Sequence, residues 1–203
     1  MSEAPARVGV LGGTFDPIHE AHLLVAHAVR DSLLLDQVIF MPAGDPWRKA
    51  GEAITPVQHR LAAVRAAVAA AADPTFVVSD AEVRRSGPTY TVDTLRELQG
   101  NGRTLWFILG ADALLDLPHW HAPDELVRLA RLALVPRPGQ TVDLDALDRL
   151  VPGLKAAVDE VPMTPVDLSA TELRETLREG GPPDGVPAGA REYIEAHGLY
   201  RSG

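Results

Sequence analysis

No cysteine occurs in this 203-residue chain. That absence excludes a disulfide framework, a thiolate zinc site and a cysteine nucleophile. Lysine is nearly missing as well: Lys49 and Lys155 are its two instances, and arginine carries the rest of the positive side-chain charge. Where arginine is the habit, a retained lysine marks a place that wants a compact ammonium, and Lys49 is the better candidate; chance accounts for Lys155. Positive charge is itself short, with 19 Lys+Arg against 28 Asp+Glu and a net charge of −9. Such a surface lacks the basic footprint of a nucleic-acid binder. Cations that hold an anionic ligand must therefore be concentrated locally. No apolar run approaches the ~20 residues of a membrane span. The opening Met1-Ser2-Glu3-Ala4-Pro5-Ala6 lacks the apolar core of a secretory leader. A cytoplasmic location, with no membrane and no nucleic-acid partner, is the expectation.

Alternation is what the chain does have. Short β-branched or apolar runs at 7–11, 37–41, 75–79, 104–109, 132–135 and 157–161 predict strands. Helical patterns fall at 21–33, 56–72, 91–98, around 113, and at 123–129, 169–179 and 188–197. Proline stands at the start of the second helix, where its fixed φ and missing N–H cost little. A loop rich in Pro, Gly and charge fills 42–55, and a Gly/Pro-rich connector fills 180–189. No repeat interrupts this order. Strands alternating with helices imply an α/β fold, a doubly wound, Rossmann-like parallel sheet. The reading is a single domain over 1–203, with a small helical C-terminal part from about 165. Ligands of such sheets bind beyond the strand carboxyl ends, at the switch point.

One segment lies at such an end. Gly12-Gly13-Thr14-Phe15-Asp16-Pro17-Ile18-His19-Glu20-Ala21-His22 follows the first strand and leads into the first helix. It reads as a glycine turn with two imidazoles at a helix entrance. Glycine admits close approach of a ligand, and free N–H groups at a helix start attract anions. His19 and His22 are spaced to share one face of the first turn. A dinucleotide fingerprint needs glycines at first, third and sixth places, and Gly9, Gly12 and Gly13 do not provide them. A Walker lysine is absent, and a zinc-protease helix would need the histidines one residue farther apart. A turn whose glycines serve geometry alone is the bland alternative; Thr14 and the two histidines favour phosphate binding.

These residues carry a resemblance. The segment resembles the His-x-Gly-His signature of the nucleotidyltransferase superfamily, with Ala21 in place of the glycine. The longer Gly-Gly-Thr-Phe-Asp-Pro-Ile-His string is similar to that of the bacterial nicotinate mononucleotide adenylyltransferases. Further motifs follow in that family's order, almost end to end from Gly9 to Tyr200. In Pro42-Ala43-Gly44-Asp45-Pro46-Trp47-Arg48-Lys49, the resemblance brings Lys49 to the ATP phosphates. In Gly87-Pro88-Thr89-Tyr90-Thr91-Val92-Asp93-Thr94-Leu95, Thr91 or Asp93 reads as a helix cap. There the resemblance implies that backbone amides near Thr89 and Tyr90 receive the nicotinate carboxylate.

Gly110-Ala111-Asp112 ends the fourth strand. Asp112 can accept from ribose hydroxyls or cap the next helix, and the resemblance favours nucleotide contact. Trp120 lies in the polar stretch Pro118-His119-Trp120-His121. It either packs in a corner or stacks on a planar cation, and the resemblance implies stacking on the nicotinate ring. His119 and His121 lack a third ligand and make a poor metal site. Arg137, in Val135-Pro136-Arg137-Pro138-Gly139, resembles an arginine that holds the substrate phosphate. In Leu168-Ser169-Ala170-Thr171-Glu172-Leu173-Arg174, Ser169 and Glu172 form a capping box. The resemblance adds that this helix start grips the ATP phosphates, with Arg174 one turn in and Ala170 replacing one hydroxyl.

Imidazoles, a lysine, arginines, hydroxyls and helix N-termini stabilise charge on phosphoryl oxygens and do little covalent work. The resemblance implies adenylyl transfer from ATP to nicotinate mononucleotide, giving deamido-NAD and pyrophosphate. His19, His22, Lys49 and Arg174 would carry the chemistry. Gly12, Gly13, Thr14, Phe15, Gly110, Asp112, Ser169 and Thr171 would join His19, His22 and Arg174 around ATP. Lys49, Thr89, Tyr90, Trp120 and Arg137 would take the mononucleotide. Mg2+ is expected to arrive with ATP, held mostly by phosphate and water rather than by protein ligands. The partners are small molecules, and a homo-oligomer is compatible with this reading. Use of the amide mononucleotide is the near alternative. A catalytically silent nucleotide-binding protein is the distant one, motivated by Ala21 and Ala170.

Overall fold

The computed structural model describes residues 6–46, 53–100, 102–135, 141–164, 166 and 168–201. Six strands form one parallel sheet: β1 (Arg7–Gly13), β2 (Gln37–Pro42), β3 (Phe76–Val78), β4 (Thr104–Gly110), β5 (Arg131–Val135) and β6 (Val158–Glu160). Their order is β3-β2-β1-β4-β5-β6. The order reverses direction between β1 and β4, and there the carboxyl ends of the strands open a ligand crevice in doubly wound folds. Helices cover both sides of the sheet. They are α1 (Glu20–Leu33), α2 (Val57–Ala71), α3 (Ala81–Arg84), α4 (Thr91–Gln99), α5 (Ala111–Asp116), α6 (Pro123–Leu129), α7 (Leu144–Leu150), α8 (Leu154–Ala157), α9 (Ala170–Arg178) and α10 (Ala188–Ala196). None of the described helices is long and apolar enough to cross a membrane.

Contacts group the chain into two compact units. One comprises Met1–Gly12, Val25–Ile39 and Tyr90–Pro165; the other comprises Gly13–Leu24, Phe40–Thr89 and Val166–Gly203. In the first unit, Leu105 to Leu109 of β4 are all buried. Both faces of a parallel sheet are covered, so this strand reads as an unbroken apolar run rather than an alternation. Gly9 of β1 has a packing reason: a methyl there would stand 2.8 Å from Leu35 Cδ1 and 3.1 Å from Ile108 Cδ1. The guanidinium of Arg7 donates to the carbonyls of Leu33 and Leu34 at the end of α1 and lies 4.5 Å from the Trp106 ring centroid. Trp106 Nε1–H in turn donates to Asp159, which Arg131 grips through two nitrogens. That pair of bonds, led by Arg131, holds the Asp159 carboxyl below its ordinary pKa.

In the second unit, α2 buries Leu61, Val64, Ala67 and Val68. It packs closely on α10, where a methyl on Gly189 would come within 2.3 Å of the Ala66 carbonyl oxygen. Two features depart from the sequence expectation. β1 continues through Gly12 and Gly13, so the glycines end a strand rather than form the turn. The short helices α3, α7 and α8 occupy stretches without a helical reading; α7 begins where Asp143 accepts the Ala146 N–H. The expected helix around 113 is α5, followed by a 3-10 turn over Leu117–His119 that leads into Trp120.

Candidate active site

The chain turns after β1 at Thr14 and Phe15. Phe15 takes a left-handed backbone (φ 50) and buries its ring, whose edge meets the His22 ring at 4.9 Å. The Asp16–Pro17 bond is cis. α1 starts at Glu20, so His19 precedes the helix and His22 sits in its first turn. Their rings stack at 3.8 Å, and the backbone N–H of His19 donates to His22 Nδ1 at 3.1 Å. With Nδ1 accepting, the neutral His22 ring carries its proton on Nε2. Burial pushes the His19 pKa down to about 4. Burial and the neighbouring His19 hold His22 well below its ordinary value. Both imidazoles are thus neutral near pH 7. Neutral imidazoles can offer N–H donors to an anion but no positive charge. His19 Nδ1 is buried and has no hydrogen-bond partner among the described residues.

Positive charge reaches this turn from farther along the chain. Arg174, on α9, donates from Nη1 to the Asp16 carbonyl oxygen at 2.6 Å and from Nη2 to Thr171 Oγ1 at 3.3 Å. The two motifs singled out in the sequence therefore meet, and Thr171 stands beside them. Ser169 is the cap of α9, accepting the Glu172 N–H at 3.5 Å. Two residues at this junction were not anticipated. Arg60 is buried on the apolar face of α2 and donates to the carbonyls of Thr14 (2.6 Å), Ala43 (2.8 Å), Gly44 (3.2 Å) and Thr55 (3.0 Å). Asp16 is buried too and receives Tyr200 Oη–H at 2.8 Å and Thr55 N–H at 3.2 Å. Arg60 shares α2 with Arg65, and nothing in the sequence marks it out for this role. All these residues belong to the second unit.

Thr89, in the same unit, is buried, and both its N–H (3.1 Å) and its hydroxyl (2.9 Å) donate to the Asp45 carbonyl. A carboxylate reaching the Thr89 amide would have to replace that carbonyl. The helix after it is not capped by Thr91 or Asp93: Tyr90 holds the cap position without a side-chain bond, and Asp93 pairs with Arg96 inside the helix.

The first unit holds Gly12, Gly110, Asp112, Tyr90 and Trp120. A methyl on Gly12 would stand 3.3 Å from the Phe107 ring. Asp112 is exposed in the first turn of α5 and is not its cap, a position taken by Gly110. Trp120 is half-buried; its Nε1–H donates to Asp116 at 3.0 Å and its ring stands edge-on to Phe107 at 5.8 Å. The Tyr90 and His121 rings lie 4.4 Å apart. At the carboxyl ends of β4, β5 and β6, a pocket of about 520 Å³ is lined by Ala111, Leu134, Thr141, Val142, Glu160, Val161 and Pro162. None of these seven was singled out in the sequence. Lys49 and Arg137 lie outside the described residues.

Among the described residues, no three His, Cys, Asp or Glu side chains gather to hold a metal ion. The groups at the turn are N–H, hydroxyl and guanidinium donors. They fit the oxygens of a phosphate and do not fit a cation.

Residues 10–176 match the family model described as cytidylyltransferase-like. A protein of Roseiflexus sp. (strain RS-1) named probable nicotinate-nucleotide adenylyltransferase is 46% identical over 207 residues, spanning 99% of this chain and 100% of its own. One of the same name from Thermomicrobium roseum (strain ATCC 27502 / DSM 5159 / P-2) is 42% identical, with 97% and 92% covered. Among solved structures, Plasmodium falciparum nicotinic acid mononucleotide adenylyltransferase complexed with NaAD superposes with a TM-score of 0.75 at 19% identity, covering 96% of this chain and 97% of that one. That last likeness is one of fold.

Proposed function

The chain belongs to the cytidylyltransferase-like family, among the relatives named nicotinate-nucleotide adenylyltransferase, and we propose that it transfers the adenylyl group of ATP to nicotinate mononucleotide. The products are deamido-NAD and pyrophosphate. One observation carries the reading: Arg174 meets the Thr14–His22 turn, where two neutral imidazoles stack at a helix entrance. The full-length match to these relatives supplies the substrate class.

An oxygen of the mononucleotide 5′-phosphate attacks the α-phosphorus of ATP. That O–P bond forms as the bond from the α-phosphorus to the bridging oxygen breaks, and pyrophosphate leaves with the electron pair. The attacking phosphate is already anionic at neutral pH, so no protein base is required. The protein's contribution is position and charge stabilisation. His22, through Nε2–H, donates to the α-phosphoryl oxygens as their charge develops. His19, Thr14, Thr171 and the α9 start at Ser169 donate to the remaining phosphate oxygens. Arg174 and Lys49 offset the charge of departing pyrophosphate. Gly12 and Gly13 at the end of β1, with Phe15 in the turn, border ATP. Gly110 and Asp112 take the ribose side of the nucleotide. Arg137 holds the mononucleotide phosphate, Trp120 stacks on its ring, and the Thr89–Tyr90 loop reads its carboxylate. Mg2+ comes bound to ATP, with phosphate and water as its ligands. Free nucleotides as substrates place the work in the cytoplasm.

His22→Ala tests the assignment. With far-UV circular dichroism unchanged, turnover is expected to fall about 10²- to 10³-fold, the usual cost of one oxyanion donor. Near-full turnover would remove His22 from the mechanism.

A further inference from the structure

Adenylyl transfer assigns nothing to Asp16, yet this residue is held from three directions. Its Oδ1 accepts Tyr200 Oη–H at 2.8 Å, its Oδ2 accepts Thr55 N–H at 3.2 Å, and its backbone oxygen accepts Arg174 Nη1–H at 2.6 Å. The residue is 4% exposed. Tyr200 arrives from 184 residues along the chain. Its own backbone is left-handed (φ 65), and so is that of Phe15 beside Asp16 (φ 50). A bulky residue rarely adopts this conformation, and it persists where surrounding contacts demand it. Here two such residues flank one hydrogen bond. Burial raises the Tyr200 phenol above its ordinary pKa, so it remains a donor throughout the working pH range.

We infer that Tyr200 is a positioning residue for the phosphate-binding turn. Its hydroxyl fixes the Asp16 carboxylate, and Asp16 in turn fixes the carbonyl that receives Arg174 and the chain that enters at His19. Tyr200 touches neither substrate; it acts through Asp16. A tyrosine that merely plugs the end of the fold would affect stability and leave the chemistry alone. The kinetic side of the inference rests on the adenylyl-transfer reading.

Tyr200→Phe in the full chain removes the hydroxyl and keeps the ring. At a temperature well below its Tm, kcat is expected to fall about tenfold, the worth of one hydrogen bond to a charged group. KM for both substrates should stay within about twofold of wild type, because the contacts to bound substrate remain. In an Asp16→Asn background, the same change should cost clearly less than it does alone, since its carboxylate target is gone. A lowered Tm with unchanged kcat would make Tyr200 structural and overturn the inference. Fully additive losses would overturn the route through Asp16. A second readout needs no turnover: the imidazole proton resonances of His19 and His22 should move in Tyr200→Phe. Unmoved resonances contradict the inference, whereas a silent wild-type enzyme contradicts only the assigned reaction.

Discussion

Nδ1 of His22 accepts the His19 backbone N–H, and this bond leaves the proton of the neutral ring on Nε2. Burial then keeps both rings uncharged, His19 down to about pH 4 and His22 by the same cause with the added repulsion of His19. An imidazole pair of ordinary pKa would be half-charged near pH 6.5. The prediction is spectroscopic. In a proton NMR titration from pH 8 to pH 5.5, the His19 and His22 ring signals stay at neutral-form positions. Midpoints near 6.5 would contradict the burial argument. At this scale the sequence was informative about the histidines and silent about their charge. Motif spacing places two rings at a helix entrance, whereas the desolvation that neutralises them comes from the packed surroundings. The same holds for Thr89: its string marks a loop, and its bond to the Asp45 carbonyl is a tertiary fact.

Elements meet at this turn through Arg60. One guanidinium on α2 satisfies carbonyls at Thr14, at Ala43 and Gly44 after β2, and at Thr55 before α2. Arg60→Met keeps apolar bulk and removes the donor from those half-buried acceptors. The expected loss is about 3 kcal/mol or more, from several unsatisfied groups, read as a fall in the urea midpoint at unchanged slope. A loss below about 1 kcal/mol would mean that water replaces the arginine. Most strands and long helices were legible because their periodicities are local. α3, α7 and α8, at four to seven residues each, were not, although α6 is as short as α7 and was read. The cap of α4 was misread because Thr91 and Asp93 are good cap formers in general, while Tyr90 occupies the position here. Arg60 was invisible since its partners lie up to 46 residues away.

At the scale of the whole molecule, the neutral histidines govern how stability answers to acid. In the unfolded chain an imidazole binds a proton near pH 6.5. In the folded chain His19 refuses one until about pH 4, and His22 is shifted in the same direction. Between those values the unfolded state binds more protons, so stability falls as pH falls. The slope is about 1.4 kcal/mol per pH unit for each withheld histidine. Carboxylates with lowered pKa, such as Asp159, add their own loss below pH 4. Urea unfolding at pH 7.5, 6 and 5 should show the decline already between 6 and 5; equal midpoints would contradict it. The net charge of −9 sets the need that the local design meets. In an acidic protein a phosphate site must gather its own donors, and the structure brings Arg174 to the turn from 158 residues away.

Adenylyl transfer is tested by pyrophosphate release from ATP and Mg2+ with nicotinate mononucleotide and its amide offered separately. Rapid release with the acid, equimolar deamido-NAD, and far slower release with the amide are expected. Equal or faster release with the amide would contradict the assigned substrate, and silence with both, despite measurable ATP binding, would contradict adenylyl transfer itself.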